Sequence, residues 1–383
     1  MKNIYLDHAA TTPVAQKVIK AMKPFYQADF ANPASAHLPG QKSAAAIEDA
    51  REIIADFLGA EKAEEIIFTA GGTEADNLAL KGVAMAKAEE GKHIITSQIE
   101  HHAVLKSCEY LEKHFDFEIT YLSVDENGLV DPEELKAQIR EDTILISIMY
   151  ANNEIGSIQP IKELVEIAQT NEILFHTDAV QIPGQFKLDV KNLGVDLLSI
   201  SAHKFNGPKG VGALFVKKGI ELVPQMSGGS QERKRRAGTV NLAAVVGMGK
   251  AATITASNLE NKKEKLLALR EYFISELLTN FKDVKLNGPE AELRLPANIN
   301  IAFKNFNSES LLFNLSLNKI AAAAGSACAS GSLNVSHVLE AIGLEKDYAQ
   351  GSIRFSLGQN NTKAEIDYVI KTLKEITTRL ESL

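Results

Sequence analysis

Lys204 closes the run LLSISAHK (197–204), an apolar stretch that passes Ser201 and His203 before turning into FNGPKG. A lysine at a buried strand end is costly as an ammonium unless it is paired or gives up its proton. Lysines with shifted pKa are the residues that form Schiff bases with carbonyl compounds. A second run, ILFHTDAVQ (173–181), delivers Asp178 and Gln181 at its end. Read alone, that aspartate is as well explained as a helix cap. QIEHHAV (98–104) sets His101 and His102 after HIITS. Either ring could stack on a flat ligand or move protons, and either could equally face solvent. After IIFT comes AGGTEADN (70–77), with Gly71, Gly72 and Thr73 opening a helical pattern. Free amides at a helix start seat a phosphate or carboxylate. The spacing is neither a Walker loop nor GxGxxG, and a glycine turn with a threonine cap would also produce it.

The fifth feature is AAAAGSACASGS (321–332), six alanines, three serines, two glycines and Cys328, one of two cysteines in the chain. Free cysteine is among the most buried residue types, so close packing explains it. A sterically open arm carrying a nucleophile explains it too. Cys108, inside the helical pattern HAVLKSCEYLEKH, reads as structural filler.

A phosphate seat, an acid for a pyridinium nitrogen, a ring-stacking histidine and a lysine amine together define a pyridoxal phosphate site. The conjunction is much more specific than any member of it.

Such residues need a sheet to hold them. Strand-like runs occur at 64–69, 93–97, 117–123, 143–150, 173–178, 197–202 and 211–216, alternating with helix candidates such as 74–90 and 161–171. This alternation predicts an α/β fold with a mainly parallel seven-stranded sheet. The last two runs are joined too tightly for a helical crossover, so one antiparallel neighbour is expected. Ligands of such sheets gather at the carboxyl ends of the strands, where all the polar candidates but the cysteine lie. From about residue 257 the pattern changes to a long amphipathic helix (258–281), short strands (298–303, 352–357) and a closing helix. The expected division is a large cofactor-binding domain, 14–256, and a smaller α+β domain made of 1–13 and 257–383, with the cysteine loop at about 321–334.

The chain's 383 residues exceed what one core usually supports, in keeping with two domains. A net charge of -8 argues against a generic nucleic-acid binder, and the basic run RKRR (233–236) reads better as a rim or interface element. No apolar run is long enough to span a bilayer, and the start MKNIYLDHAATTP lacks signal-peptide character. No nucleic-acid or membrane partner is expected. Two distant cysteines imply reduced thiols and a cytoplasmic setting. Zinc spacings such as CxxC and HExxH are absent, and no metal is expected.

Several stretches together resemble the cysteine desulfurases, the NifS/IscS-like branch of the class V aminotransferase family, fold-type I pyridoxal phosphate enzymes, over essentially the whole length. They are YLDHAATTP, NPASAH, FTAGGTEADN, EHHAV, NNEIGSIQP, HTDAVQ, SAHKFNGPKGVGAL, GGSQERKRRAGTVN, AGSACASGS and IRFSLG. The resemblance implies that Lys204 carries pyridoxal phosphate as a Schiff base, that Asp178 pairs with the pyridine nitrogen, that Gln181 approaches the ring hydroxyl and that His101 stacks on the ring. Gly72, Thr73, Ser201 and His203 would hold the phosphate, with the partner subunit's Thr239, in a homodimer with shared active sites. Asn153 and Arg354 would hold the substrate carboxylate. Lys204 would take the Cα proton of L-cysteine, and Cys328 would accept the sulfur as a persulfide, releasing L-alanine. The sulfur would pass to an acceptor such as an iron–sulfur scaffold. Ala324 stands where many relatives have serine, a small change expected to be tolerated. The chain stops at TTRLESL, without the tail some relatives use to dock a scaffold. The alternatives are selenocysteine lyase activity, since the same site could release selenium, and another class V aminotransferase, which would have no use for the Cys328 thiol.

Overall fold

A computed structural model describes residues 3–324 and 335–382; Cys328 lies outside the described residues. A short strand, β1 (Ile4–Tyr5), opens the chain. The main sheet follows with β2 (Ile66–Thr69), β3 (His93–Ser97), β4 (Glu118–Leu122), β5 (Thr143–Ser147), β6 (Leu174–Asp178), β7 (Leu197–Ser201) and β8 (Gly212–Val216). Their order across the sheet is β2-β8-β7-β6-β5-β3-β4. The pairs among β3 to β7 are parallel, whereas β8 runs antiparallel to both β2 and β7. The tightly joined pair expected from the sequence is therefore β7–β8.

Parallel strands are joined by crossover helices that cover both faces, so their residues are apolar without alternation. HIITS and TILIS show that pattern, and both strands are buried at every position. Helices Gly72–Ala86 and His102–Phe115 pack Leu80, Val83, Val104 and Leu111 on one face. Helices Leu38–Leu58, Ile161–Thr170 and Leu242–Ser257 cover the other with Ile54, Leu164 and Met248. Cys108 is fully buried in the first of these layers, as a filler would be.

A second sheet holds β9 (Val284–Leu286), β10 (Asn298–Phe303) and β12 (Ser352–Ser356) in the order β12-β10-β9, all antiparallel. The long helix Leu259–Asn280 and the closing helix Lys363–Glu381 flank it around a separate core that includes Phe273, Ile301, Phe355 and Leu373. The sequence reading lacked β9, whose three residues are too few to show a period. Leu6 belongs to this core, because β1 pairs in parallel with β11 (Ile320–Ala321). From there the N-terminal segment crosses to the main sheet. His8 N–H donates to Ser356 O (3.3 Å), Thr12 N–H to His203 O (2.9 Å) and Ala15 N–H to Asn206 O (3.0 Å). A single strap thus joins both sheets over the carboxyl ends of the central strands.

Candidate active site

Under that strap lies a cavity of about 340 Å³, lined by Gly72, Thr73, His101, Asn153, Asp178, Gln181, Ser201, His203, Lys204 and Arg354. These are all the residues expected at the site from the sequence except two. Thr239 is exposed and does not line the cavity of its own chain; Cys328 is outside the described residues.

Each side chain is delivered by an element that its local sequence explains. β7 ends at Ser201, and a single 3-10 turn, Ala202–Lys204, follows. Asn206, in the left-handed conformation at φ 65°, turns the chain away, a conformation asparagine tolerates better than most residues. A Cβ on Gly207 would stand 2.8 Å from Ala202 Cβ, so the return path needs a glycine there. Lys204 Nζ donates to the carbonyls of Ala9 (2.6 Å) and Ala10 (3.0 Å) in the strap. The amine is therefore held at the cavity wall by backbone dipoles.

Asp178 is the last residue of β6 and is buried. Its Oδ1 accepts from Val180 N–H (2.9 Å), so it steadies a tight turn rather than capping a regular helix. Burial raises its pKa, opposed by His101, by the Val180 amide and by Lys204. Gln181 donates to Ala9 O (3.2 Å) from the same turn. His101 is the N-cap of helix His102–Phe115, its Nδ1 accepting from Ala103 N–H (3.1 Å), and burial lowers its pKa. The ring is thereby fixed in orientation. His102 lines the same cavity and packs against His337 with the rings tilted by 36° and their centroids 4.9 Å apart.

Helix Gly72–Ala86 has Gly71 as its N-cap and no side chain capping it, which leaves its first amides unfilled. Thr73 is inside the helix and exposed; it is not the cap. A Cβ on Gly72 would lie 2.8 Å from Val180 Cγ2, so the floor admits only glycine without displacement. Ser201 and His203 border this end, and His203 Nδ1 lies 3.1 Å from Thr11 Oγ1. Burial takes the His203 pKa down to about 4, which leaves a neutral ring with hydrogen-bonding nitrogens.

Arg354 sits on β12 and is buried. Nη2 pairs with Asp7 Oδ1 (2.9 Å) and Nη1 donates to Asn153 O (3.1 Å), while Nε is buried without a hydrogen-bond partner. A guanidinium with an unfilled donor in a cavity wall suits a carboxylate. The Arg354 backbone also pairs with Ala323, in both directions, at 2.7 and 3.1 Å. On the other side of residues 325–334, Ser336 Oγ donates to Glu154 Oε2 (2.5 Å), and His337 Nε2 lies 3.1 Å from Glu100 O. Glu154, Glu100 and His337 all line the cavity. Both described flanks of the cysteine-bearing segment are therefore tied to this wall.

These residues fit pyridoxal phosphate. An open helix N-terminus with a glycine floor suits the phosphate. A buried acid beside an oriented histidine ring suits a cationic aromatic ring, and an amine faces the same space. The sequence reading missed Asp76, Glu100, Glu154 and the carbonyls of Ala9 and Ala10. All five lie inside stretches quoted for the resemblance, YLDHAATTP, FTAGGTEADN, EHHAV and NNEIGSIQP, which assigned these residues no role. Asp76 had one further signal: three positions after Thr73 on a helix, it falls near the same face.

Fold and cavity define a fold-type I pyridoxal phosphate enzyme. The model of the family "Aminotransferase class-V" matches residues 4–369. The chain is 53% identical to the cysteine desulfurase IscS of Dictyoglomus turgidum, covering 100% of this chain and 96% of that protein. Among solved structures it resembles a NifS-like protein at a TM-score of 0.91, 38% identity and full coverage of both chains. A structure described as SspA in complex with cysteine superposes at a TM-score of 0.82 with 39% identity, over 94% of this chain and 100% of that one. The chain belongs to the class-V aminotransferase family, within its cysteine desulfurases. Neither alternative activity is favoured by these relatives.

Proposed function

We propose that this cavity removes sulfur from L-cysteine and transfers it to Cys328, releasing L-alanine. The observation that carries the reading is the anchoring of both flanks of residues 325–334 to the cavity that holds Lys204, Asp178 and Arg354. When bound, pyridoxal phosphate supplies a carbonyl carbon for an amine and a cationic ring that draws electrons from the substrate's Cα. Lys204 Nζ would hold the cofactor and, as a free amine, would take the Cα proton of the substrate and later return it. Asp178 would pair with the ring nitrogen, Gln181 would approach the ring hydroxyl and His101 would stack on the ring. Gly72, Thr73, Ser201 and His203 would seat the phosphate, with the partner subunit's Thr239 completing it. Arg354 and Asn153 hold the substrate carboxylate and so fix where its sulfur points. Cys328 Sγ then attacks that sulfur. The Cβ–S bond breaks, its electron pair remains with the substrate carbon, which is protonated and leaves as alanine, and the persulfide stays on Cys328.

The same reading makes the enzyme a cytoplasmic homodimer that passes sulfur to an acceptor protein, such as a scaffold for iron–sulfur clusters. It divides the chain into 14–256 and the two segments 1–13 and 257–383. Support for the first points is the pair of widely spaced cysteines, the relatives' naming, and a described chain in which no helix is long and apolar enough to cross a membrane. Mass spectrometry after one turnover tests the chemistry. One sulfur is expected on the peptide containing Cys328, matched by one alanine; sulfur on Cys108, or alanine without protein-bound sulfur, overturns it.

A further inference from the structure

Four carboxyl groups line one cavity, and only Asp178 has work in the chemistry above. Glu154 accepts from Ser336 Oγ and has the charge of Arg354 acting on it, which opposes the effect of its burial. Asp76, on helix Gly72–Ala86, and Glu100, between β3 and helix His102–Phe115, line the wall beside Asp178, each 1% exposed. Neither is ion-paired to a lysine or arginine among the described residues. Asp76 Oδ1 has His176 Nε2 at 3.7 Å, beyond hydrogen-bond reach, and is buried without a partner. Glu100 Oε1 accepts from Ser97 Oγ (2.6 Å) and Met149 N–H (2.9 Å), while its Oε2 is buried and unpartnered.

Among the described residues, the two cations that line this cavity, Lys204 and Arg354, have other partners. From β6, His176 faces Asp76; it is fully buried and taken down to about 3, hence neutral. Its Nδ1 lies 2.8 Å from Ser147 Oγ and its Nε2 3.0 Å from Ser199 Oγ, so its partners are hydroxyls. The remaining neighbours of Asp76 are the acids Asp178 and Glu100 and the hydroxyl of Ser199 on β7. Beside Glu100, burial lowers His101, His102 and His337 alike. Lys204 and His101 act on Asp178, while Arg354 is paired with Asp7. Burial pushes Glu100 up to about 8 and Asp76 well above the carboxylate range, the latter helped by the charge of Asp178.

We propose that Asp76 and Glu100 are positioning residues that stand in the cavity wall as neutral acids, leaving Asp178 the single carboxylate that meets the cofactor's ring nitrogen. The inference rests on the role of Asp178 given above. The physical reason is charge counting. One ring cation can compensate one buried anion, and further carboxylates nearby would drive a proton onto Asp178. A protonated Asp178 could no longer hold the ring nitrogen in its charged form. Asp76 and Glu100 keep polar atoms around that contact without adding charge to it.

Thermal unfolding of the full-length apo protein, followed from about pH 5 to about pH 9, tests this in wild type, Asp76→Asn and Glu100→Gln. A carboxyl that keeps its proton in the folded state above its unfolded value near 4 binds more protons folded than unfolded, so stability is lost as pH rises through that window. Wild type should therefore lose midpoint temperature relative to each amide variant as pH climbs, with a slope of about one proton per group. Infrared difference spectra at neutral pH should show the carbonyl stretch of a protonated acid that disappears in Asp76→Asn. If a variant fails to fold, isotope-labelled aspartate or glutamate in the wild type reads the same band directly. Parallel pH profiles, or carboxylate bands in place of acid bands, overturn the proposal. A cofactor-affinity arm separates it from the reading beneath. Asp178→Asn should weaken pyridoxal phosphate binding about tenfold or more, and Asp76→Asn by much less. If Asp76→Asn weakens it as strongly as Asp178→Asn, Asp76 carries charge and the proposal falls. If Asp178→Asn binds as wild type does, the site assignment fails instead, whatever the pH profiles show.

Discussion

At the scale of single residues, the two cysteines make the sharpest contrast. Cys108 is wholly enclosed, and burial above all, with the charge of Glu112, pushes its thiol up, away from reactivity. Cys108→Ser should therefore keep L-cysteine turnover, at some cost in stability from a hydroxyl placed in an apolar layer. Cys328→Ser should still bind pyridoxal phosphate and L-cysteine, followed by absorbance, yet form no persulfide, because a hydroxyl is far less ionised than a thiol. Wild-type turnover by Cys328→Ser would exclude that residue as the sulfur acceptor. Lys204→Ala removes the amine held by the Ala9 and Ala10 carbonyls. It should fold, fail to give a borohydride-reducible yellow chromophore and form no alanine; normal sulfide release by this variant would refute its assignment.

Elements explain which of these residues could be read in advance. The strands of the main sheet were legible because HIITS, TILIS and LLSIS are uninterrupted buried runs of the length a parallel strand needs. Lys204, Asp178 and His101 were legible because they follow such runs directly. Asp76 and Glu100 were not, since an acid in a helix or loop normally belongs to a solvated face, and only the assembled sheet shows them buried. The hydrogen bonds of the N-terminal strap were equally hidden, as they join residues about 190 positions apart. Helix Gly72–Ala86 invites a direct test. Gly72→Ala puts a methyl 2.8 Å from Val180 Cγ2 at the phosphate end. Cofactor affinity should fall about tenfold or more while the apo fold survives, measured by equilibrium dialysis and circular dichroism. A second test concerns the segment that bears Thr239. Arg51, on helix Leu38–Leu58, binds both oxygens of Glu232 (2.7 and 2.9 Å), each side chain 3% exposed, and Glu232 also accepts from Phe68 N–H on β2. Breaking a buried pair by removing one partner strands the other, so Arg51→Ala should destabilise the protein by about 3–5 kcal/mol in denaturant unfolding.

For the whole molecule, the exposed Thr239 and the shared-site reading make a quantitative expectation. Mixing Lys204→Ala with Thr239→Asp protomers places both lesions in one site of a hybrid and leaves the other intact. After free exchange at equal amounts, about a quarter of wild-type activity should return, from half the molecules being hybrids with one good site. No recovery despite demonstrated exchange would show that each protomer builds its site alone.

The strap between the sheets sets an order of events in the cell. β1 has its strand partner at Ile320–Ala321, and Asp7 its ion pair at Arg354, so this segment waits for partners made much later in synthesis. Until then the carbonyls that hold Lys204 lack their second support and the cavity lacks Arg354. The main sheet can form during synthesis, but a nascent chain shortened before β12 has no means of gripping a substrate carboxylate. Loading with cofactor in its working geometry thus becomes a post-translational step, and incomplete translation products are left unable to release sulfide inside the cell.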